Sequence, residues 1–220
     1  MESAKKILFL GDNHYKSFGS KALAQCLEDE LDLTYVEDSY GQFLEEEDLS
    51  KFDVFMISAI GDTPGSPHAS EKAGERLKER LKAGASLMLF HGGSAAFWRW
   101  EWWRKIVGLR WVRPNDPVGV AASTHPVVPY ALECVASEHP LSEVLQRMDT
   151  PRDELYIELE QTTDIYPLME SSYDGKTYVM AYESQADWGG KILGYLPGHD
   201  VEVASHSITV ANVKAMLEYC

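Results

Sequence analysis

Ser86-Leu87-Met88-Leu89-Phe90-His91-Gly92-Gly93-Ser94 is the stretch on which the fold turns. Ser86 to Phe90 is an apolar run of strand length, and it stops at a histidine followed by two glycines. Glycines at that point let the backbone turn sharply and approach a ligand closely. A helix is expected next, from Ala95 to Ile106, and backbone N–H groups at its N-terminus would favour a negative charge or an oxyanion. His91, at the tip of the turn, is therefore expected on a ligand-facing edge. The plainer alternative is a histidine that only hydrogen-bonds a neighbouring loop.

The same rhythm extends on both sides. Lys6 to Leu10 reads as a buried strand ending in Gly11-Asp12-Asn13, with His14 in the loop beyond it. Helical spacing follows from Ser20 to Leu31, then a strand from Leu33 to Val36, another from Phe52 to Ile57, and a helix from Ser70 to Leu81 closed by Gly84. Strands alternating with helices predict an α/β fold: a doubly wound, mostly parallel sheet with helices on both faces. Ligands bind such sheets beyond the carboxyl ends of the strands. From Leu109 to Pro140 regularity is lost, apart from a strand at Tyr130 to Val135, and an excursion of that length often covers a site. A short helix near Leu141 to Arg147, strands at Ile165 to Met169, Tyr178 to Tyr182 and Ile192 to Leu196, and a helix from Thr209 to Tyr219 complete the reading.

The totals bound the function. The 220 residues suit one domain, 1–220, with a sizeable core. A formal net charge of -15 opposes nucleic-acid backbones, because binding them requires Lys and Arg to displace counterions. Arg99, Arg104, Lys105, Arg110 and Arg113 form the one basic cluster, placed to serve a small anionic or polar ligand. Cys26, Cys134 and Cys220 are odd in number and contain no CxxC pair, which argues for a reducing compartment. Ile7 to Leu10 is too short for a leader or a membrane span. A cytoplasmic protein with no membrane partner is the expectation.

Several residues could carry chemistry. Glu154, in Pro151-Arg152-Asp153-Glu154-Leu155-Tyr156, is an acid/base candidate if it lies near His91, and otherwise a solvated carboxylate. His199, in Leu196-Pro197-Gly198-His199-Asp200, follows an apolar strand and is expected on the same sheet edge as His14 and His91. Phe97-Trp98-Arg99-Trp100-Glu101-Trp102-Trp103 holds four of the six tryptophans. On a helix Trp98 pairs with Trp102 and Trp100 with Trp103. One pair would fill the core, and the other would stack on a sugar or make a homodimer contact. A divalent metal on His14, His91 and His199 is a further alternative, although no HxH or HExxH spacing supports it. No organic cofactor is implied.

Six landmarks in order resemble the ThuA-like, or trehalose-utilisation, family. They are Gly11 to His14, Phe90-His91-Gly92-Gly93, Trp103-Arg104-Lys105-Ile106-Val107-Gly108, Glu138-His139-Pro140-Leu141, Asp153-Glu154-Leu155-Tyr156 and Gly198-His199-Asp200. The resemblance implies a class I glutamine amidotransferase-like, flavodoxin-like fold. In true amidotransferases the corresponding turn carries a catalytic cysteine, and here His91 takes its place, so the comparison excludes thiol glutaminase chemistry. The later histidine of the amidotransferase triad falls near His199. Family members carry a histidine soon after the Val-Gly segment, whereas this chain has Trp111-Val112-Arg113-Pro114 there, and His125 is the nearest histidine.

The resemblance implies a role with trehalose or related disaccharides, including keto-sugar forms. Together these readings give His91, Glu154 and His199 as catalytic candidates, and His14, Trp98, Trp102, His125, Tyr156 and Asp200 as substrate-binding candidates. Rival readings are a non-catalytic interaction subunit with a vestigial pocket and a histidine-ligated metal-dependent hydrolase.

Overall fold

The computed structural model describes residues 4–13, 16–61, 68–117 and 119–220. In chain order its first half runs β1 (Lys6–Gly11), α1 (Gly19–Leu27), β2 (Asp32–Glu37), α2 (Tyr40–Glu46), β3 (Val54–Ile57), α3 (Glu71–Lys82), β4 (Ser86–Phe90) and α4 (Glu101–Ile106). Its second half runs β5 (Leu109–Arg110), β6 (Val127–Cys134), β7 (Met148–Glu154), β8 (Glu160–Gln161), β9 (Ile165–Tyr173), β10 (Lys176–Gln185), β11 (Lys191–Tyr195), α5 (Val201–Ala204) and α6 (Ser207–Tyr219).

Successive strand side chains point to opposite faces, so a strand apolar at every position must be covered on both. Ile7 and Phe9 of β1, Val54 and Met56 of β3, and Met88 and Phe90 of β4 pack with Leu23 and Leu27 of α1 and with Val213, Met216 and Leu217 of α6. Leu8 and Leu10, Phe55 and Ile57, and Leu87 and Leu89 pack instead with Leu44 of α2, Leu77 and Leu81 of α3, and Trp103 and Ile106 of α4. The expected α/β layering with helices on both faces is present. Ser70 caps α3 by accepting from the Ala73 N–H, and Gly84 beyond its end adopts φ +108°.

Nine strands form one sheet in the order β2-β1-β3-β4-β11-β10-β9-β6-β7. The first five are parallel to their neighbours, and β10, β9, β6 and β7 extend the sheet antiparallel. Asp174-Gly175, both at positive φ, joins β9 to β10 in a two-residue turn. The far strand β7 nevertheless returns to β11, because Asp153 accepts from the N–H groups of Gly198 and His199. The antiparallel half thus curls back over the carboxyl end of β4.

Three local expectations are corrected. The Ala95 to Ile106 helix shrinks to α4, with a tight 3-10 turn over His91–Ala95 ahead of it. His91 and Phe97 sit at φ 41° and 44°, which breaks helical continuity. Phe97 stacks on Trp100 at 4.2 Å, so the aromatic run buries itself by turning. No long helix therefore starts beside His91 to favour an oxyanion. The helix near Leu141 to Arg147 is a single turn, Leu145 N–H to Leu141 carbonyl. Glu154 closes a strand, β7, that apolar alternation could not reveal. The buried positions of β7 are Met148, Thr150 and Asp153, two of them polar, and an edge strand tolerates Pro151.

Candidate active site

The site is built where β4 ends. His91 is 2% exposed and holds a backbone conformation that non-glycine residues seldom adopt. Gly93 is required two residues on, since a Cβ there would lie 2.2 Å from the Ile57 carbonyl oxygen. Gly198, at φ +116°, faces the Phe90 ring, which a Cβ would meet at 2.3 Å. These two close approaches bring the β4 turn against β3 and the loop after β11 against β4.

The His91 ring is oriented by its Nδ1–H, which donates to the Leu196 carbonyl at 2.8 Å. A carbonyl only accepts, so in the neutral ring Nε2 is the bare nitrogen. Nε2 faces the Tyr156 hydroxyl at 3.0 Å, His199 Nδ1 at 3.2 Å and Glu154 Oε2 at 3.5 Å. Glu154 Oε2 also lies 3.2 Å from His199 Nδ1, and its Oε1 lies 3.2 Å from His125 Nδ1. Burial alone would raise the Glu154 pKa, but the adjoining His199 and His91 imidazoles outweigh it and hold the carboxylate well below its ordinary range. Burial would lower the His199 pKa, and the bond to Glu154 reverses that and raises it. The Glu154 carboxylate thus favours a proton on His199, 3.2 Å away.

Beside the cluster lies a cavity of about 360 Å³ lined by Glu154, His199, His125, Tyr156, Trp111, Arg113, Ile60 and Ala95. Trp111 packs against Tyr156 at 4.7 Å and His125 at 5.3 Å between ring centres. The irregular segment supplies this wall. It is pinned by the Trp111 N–H to the Ser94 carbonyl, by Ser123 between Val112 and Glu158, and by a backbone bridge between Thr124 and Ile157.

His91, Glu154, His199, His125 and Tyr156 thus meet at one place. Trp98 lies behind the wall, with the Arg113 guanidinium 5.1 Å above its ring. Trp102 is elsewhere, in a groove with Trp188, Lys78 and Lys82, while Trp100 and Trp103 are core. Asp200 precedes α5, and its backbone bridges to Phe18. His14 falls outside the described residues. Arg104 and Arg110 both bind Asp116, and Arg110 also binds Glu160, so these two cations of the basic cluster are committed to carboxylates.

Two contributors were missed. In sequence Trp111 marks only a departure from the family pattern, and its position directly after the short strand β5 is the available signal. Asp153, 1% exposed, accepts from Gly198, His199 and the Tyr130 hydroxyl and so sets the His199 loop. Among the described residues, His91, Glu154 and His199 also form a group able to hold a metal ion, with ligand atoms within 4.8 Å of one another. No helix among them is long and apolar enough to cross a membrane.

A ThuA-like protein from Parabacteroides merdae ATCC 43184 superposes with a TM-score of 0.76 at 16% identity, covering 98% of this chain and 90% of that one. A second, from Bacteroides uniformis ATCC 8492, gives 0.69 at 11% identity, with 97% and 90% covered. The carbohydrate deacetylase Agd3 gives 0.60 at 8% identity, covering 99% of this chain but 33% of that one. At these identities the likeness is one of fold. Comparison with curated proteins yields no match. The family described as trehalose utilisation, ThuA, matches residues 7–219, and this chain belongs to it.

Proposed function

We propose that this protein is a sugar-modifying enzyme acting on trehalose or a related disaccharide, including its keto form, and that it is not a glutaminase. The carrying observation is the convergence of buried His91 with Glu154 and His199, which form the polar end of a cavity whose other side is Trp111 and Tyr156. Flat aromatic rings offer a sugar ring an apolar face, and the polar end receives the hydroxyl or carbonyl that reacts. Glu154 and His199 share one proton beside the bare Nε2 of His91, an acid/base set suited to moving a proton on or off a sugar oxygen. An imidazole at the β4 turn cannot form the thioester on which amidotransferase cysteines depend. The family description, trehalose utilisation, supports a sugar ligand.

The test is turnover of trehalose and of a keto derivative of trehalose, followed by mass spectrometry. E154Q should lose on the order of 10²–10⁴-fold in kcat, the range typical of a positioned acid/base group. Unchanged turnover in E154Q and in H91N would refute the assignment.

A further inference from the structure

The separations within the His91 cluster carry more than proton transfer. His91 Nε2 to His199 Nδ1 is 3.2 Å, His199 Nδ1 to Glu154 Oε2 is 3.2 Å, and His91 Nε2 to Glu154 Oε2 is 3.5 Å. A zinc-class ion bonded at about 2.0–2.2 Å to each of its ligands spans tetrahedral edges of about 3.3–3.6 Å. The three donors already stand near the corners of such a face.

We infer that His91, His199 and Glu154 bind one divalent transition-metal ion, with a fourth position open to the cavity. The inference rests on the reading that this cluster is the enzyme's reacting centre. Two imidazoles and one carboxylate suit zinc and its first-row neighbours rather than calcium or magnesium, which take oxygen donors. The supporting contacts are those that orient metal ligands elsewhere. The Leu196 carbonyl fixes the His91 tautomer, Asp153 holds the backbone of His199, and His125 holds the second oxygen of Glu154. The ion takes the place of the proton that Glu154 and His199 share. Tyr156 and His125, which border the cluster, line the cavity beside that position.

The experiment uses the full chain, stripped with a chelator and titrated with Co²⁺ by visible absorption and with Zn²⁺ by calorimetry. Expected are one ion per chain, a tetrahedral Co²⁺ spectrum, and affinity lowered at least 100-fold in H199Q and in E154Q. His139→Ala, which removes a histidine paired with Glu183 outside the site, should bind as the wild type does. Circular dichroism establishes that each variant is folded. Wild-type binding no tighter than that of H199Q, or binding abolished by His139→Ala, overturns the inference. In the first case, loss of sugar turnover in E154Q would leave the enzyme reading standing without the ion. Tight binding by a protein that neither binds nor turns over either sugar would keep the ion and remove the sugar reading.

Discussion

His91 and Asp153 show what a single residue can disclose. His91 follows an apolar run and precedes two glycines, so its place at the turn that ends β4 was legible from residue types alone. Asp153 was not, because a carboxylate beside another carboxylate in a proline-containing stretch reads as solvated. Its role depends on the N–H groups of Gly198 and His199, over forty residues away, and on Tyr130. Replacing Asp153 with Ala leaves those buried donors unsatisfied and should cost about 2–4 kcal/mol of stability, measured by urea unfolding. The same substitution releases the His199 loop, so it should weaken sugar binding as well. A D153A protein as stable as wild type would show that the loop is held by other contacts.

The elements of the parallel half were legible because β1, β3 and β4 are apolar at nearly every position, which only a doubly covered strand requires. The antiparallel extension was less so. β7 buries Thr150 and Asp153, and its partner β6 carries Pro129, so neither shows clean alternation. The aromatic run misled for the opposite reason, since a dense apolar stretch mimics a helix when ring packing in fact bends the chain. Two glycines separate steric demand from conformational demand. Gly93→Ala drives a methyl into the Ile57 carbonyl and should cost about 3 kcal/mol or more, or prevent folding. Gly84→Ala, at φ +108° with nothing near, should cost about 1–2 kcal/mol through backbone strain alone. Thermal unfolding of the two variants compares them, and equal losses would contradict the close approach that seats the β4 turn.

For the molecule as a whole, the site is assembled from four regions distant in sequence: the β4 turn, the stretch holding Trp111 and His125, the end of β7, and the loop after β11. Sheet topology was enough to place His91 and His199 on one edge, because both follow parallel strands. It was not enough to bring Glu154, His125 and Trp111 there, since that depends on the antiparallel half curling back. The proposed ligand is neutral and held by aromatic faces and hydrogen bonds, although the chain carries a net charge of -15. Its affinity should change less than about two-fold between roughly 0.05 and 0.5 M salt, whereas an anion held by Arg113 would be screened and bind more weakly. Titration followed by tryptophan fluorescence distinguishes the two.

The central claim is that a sugar binds between the Trp111–Tyr156 wall and the His91–Glu154–His199 cluster. A crystal structure of the wild-type chain soaked with trehalose or a keto derivative of it tests it most directly. The predicted result is a sugar ring against Trp111, with one oxygen within hydrogen-bond reach of Glu154 or His199. A sugar bound in the Trp102–Trp188 groove, with the cavity beside His91 left without it, would contradict the account.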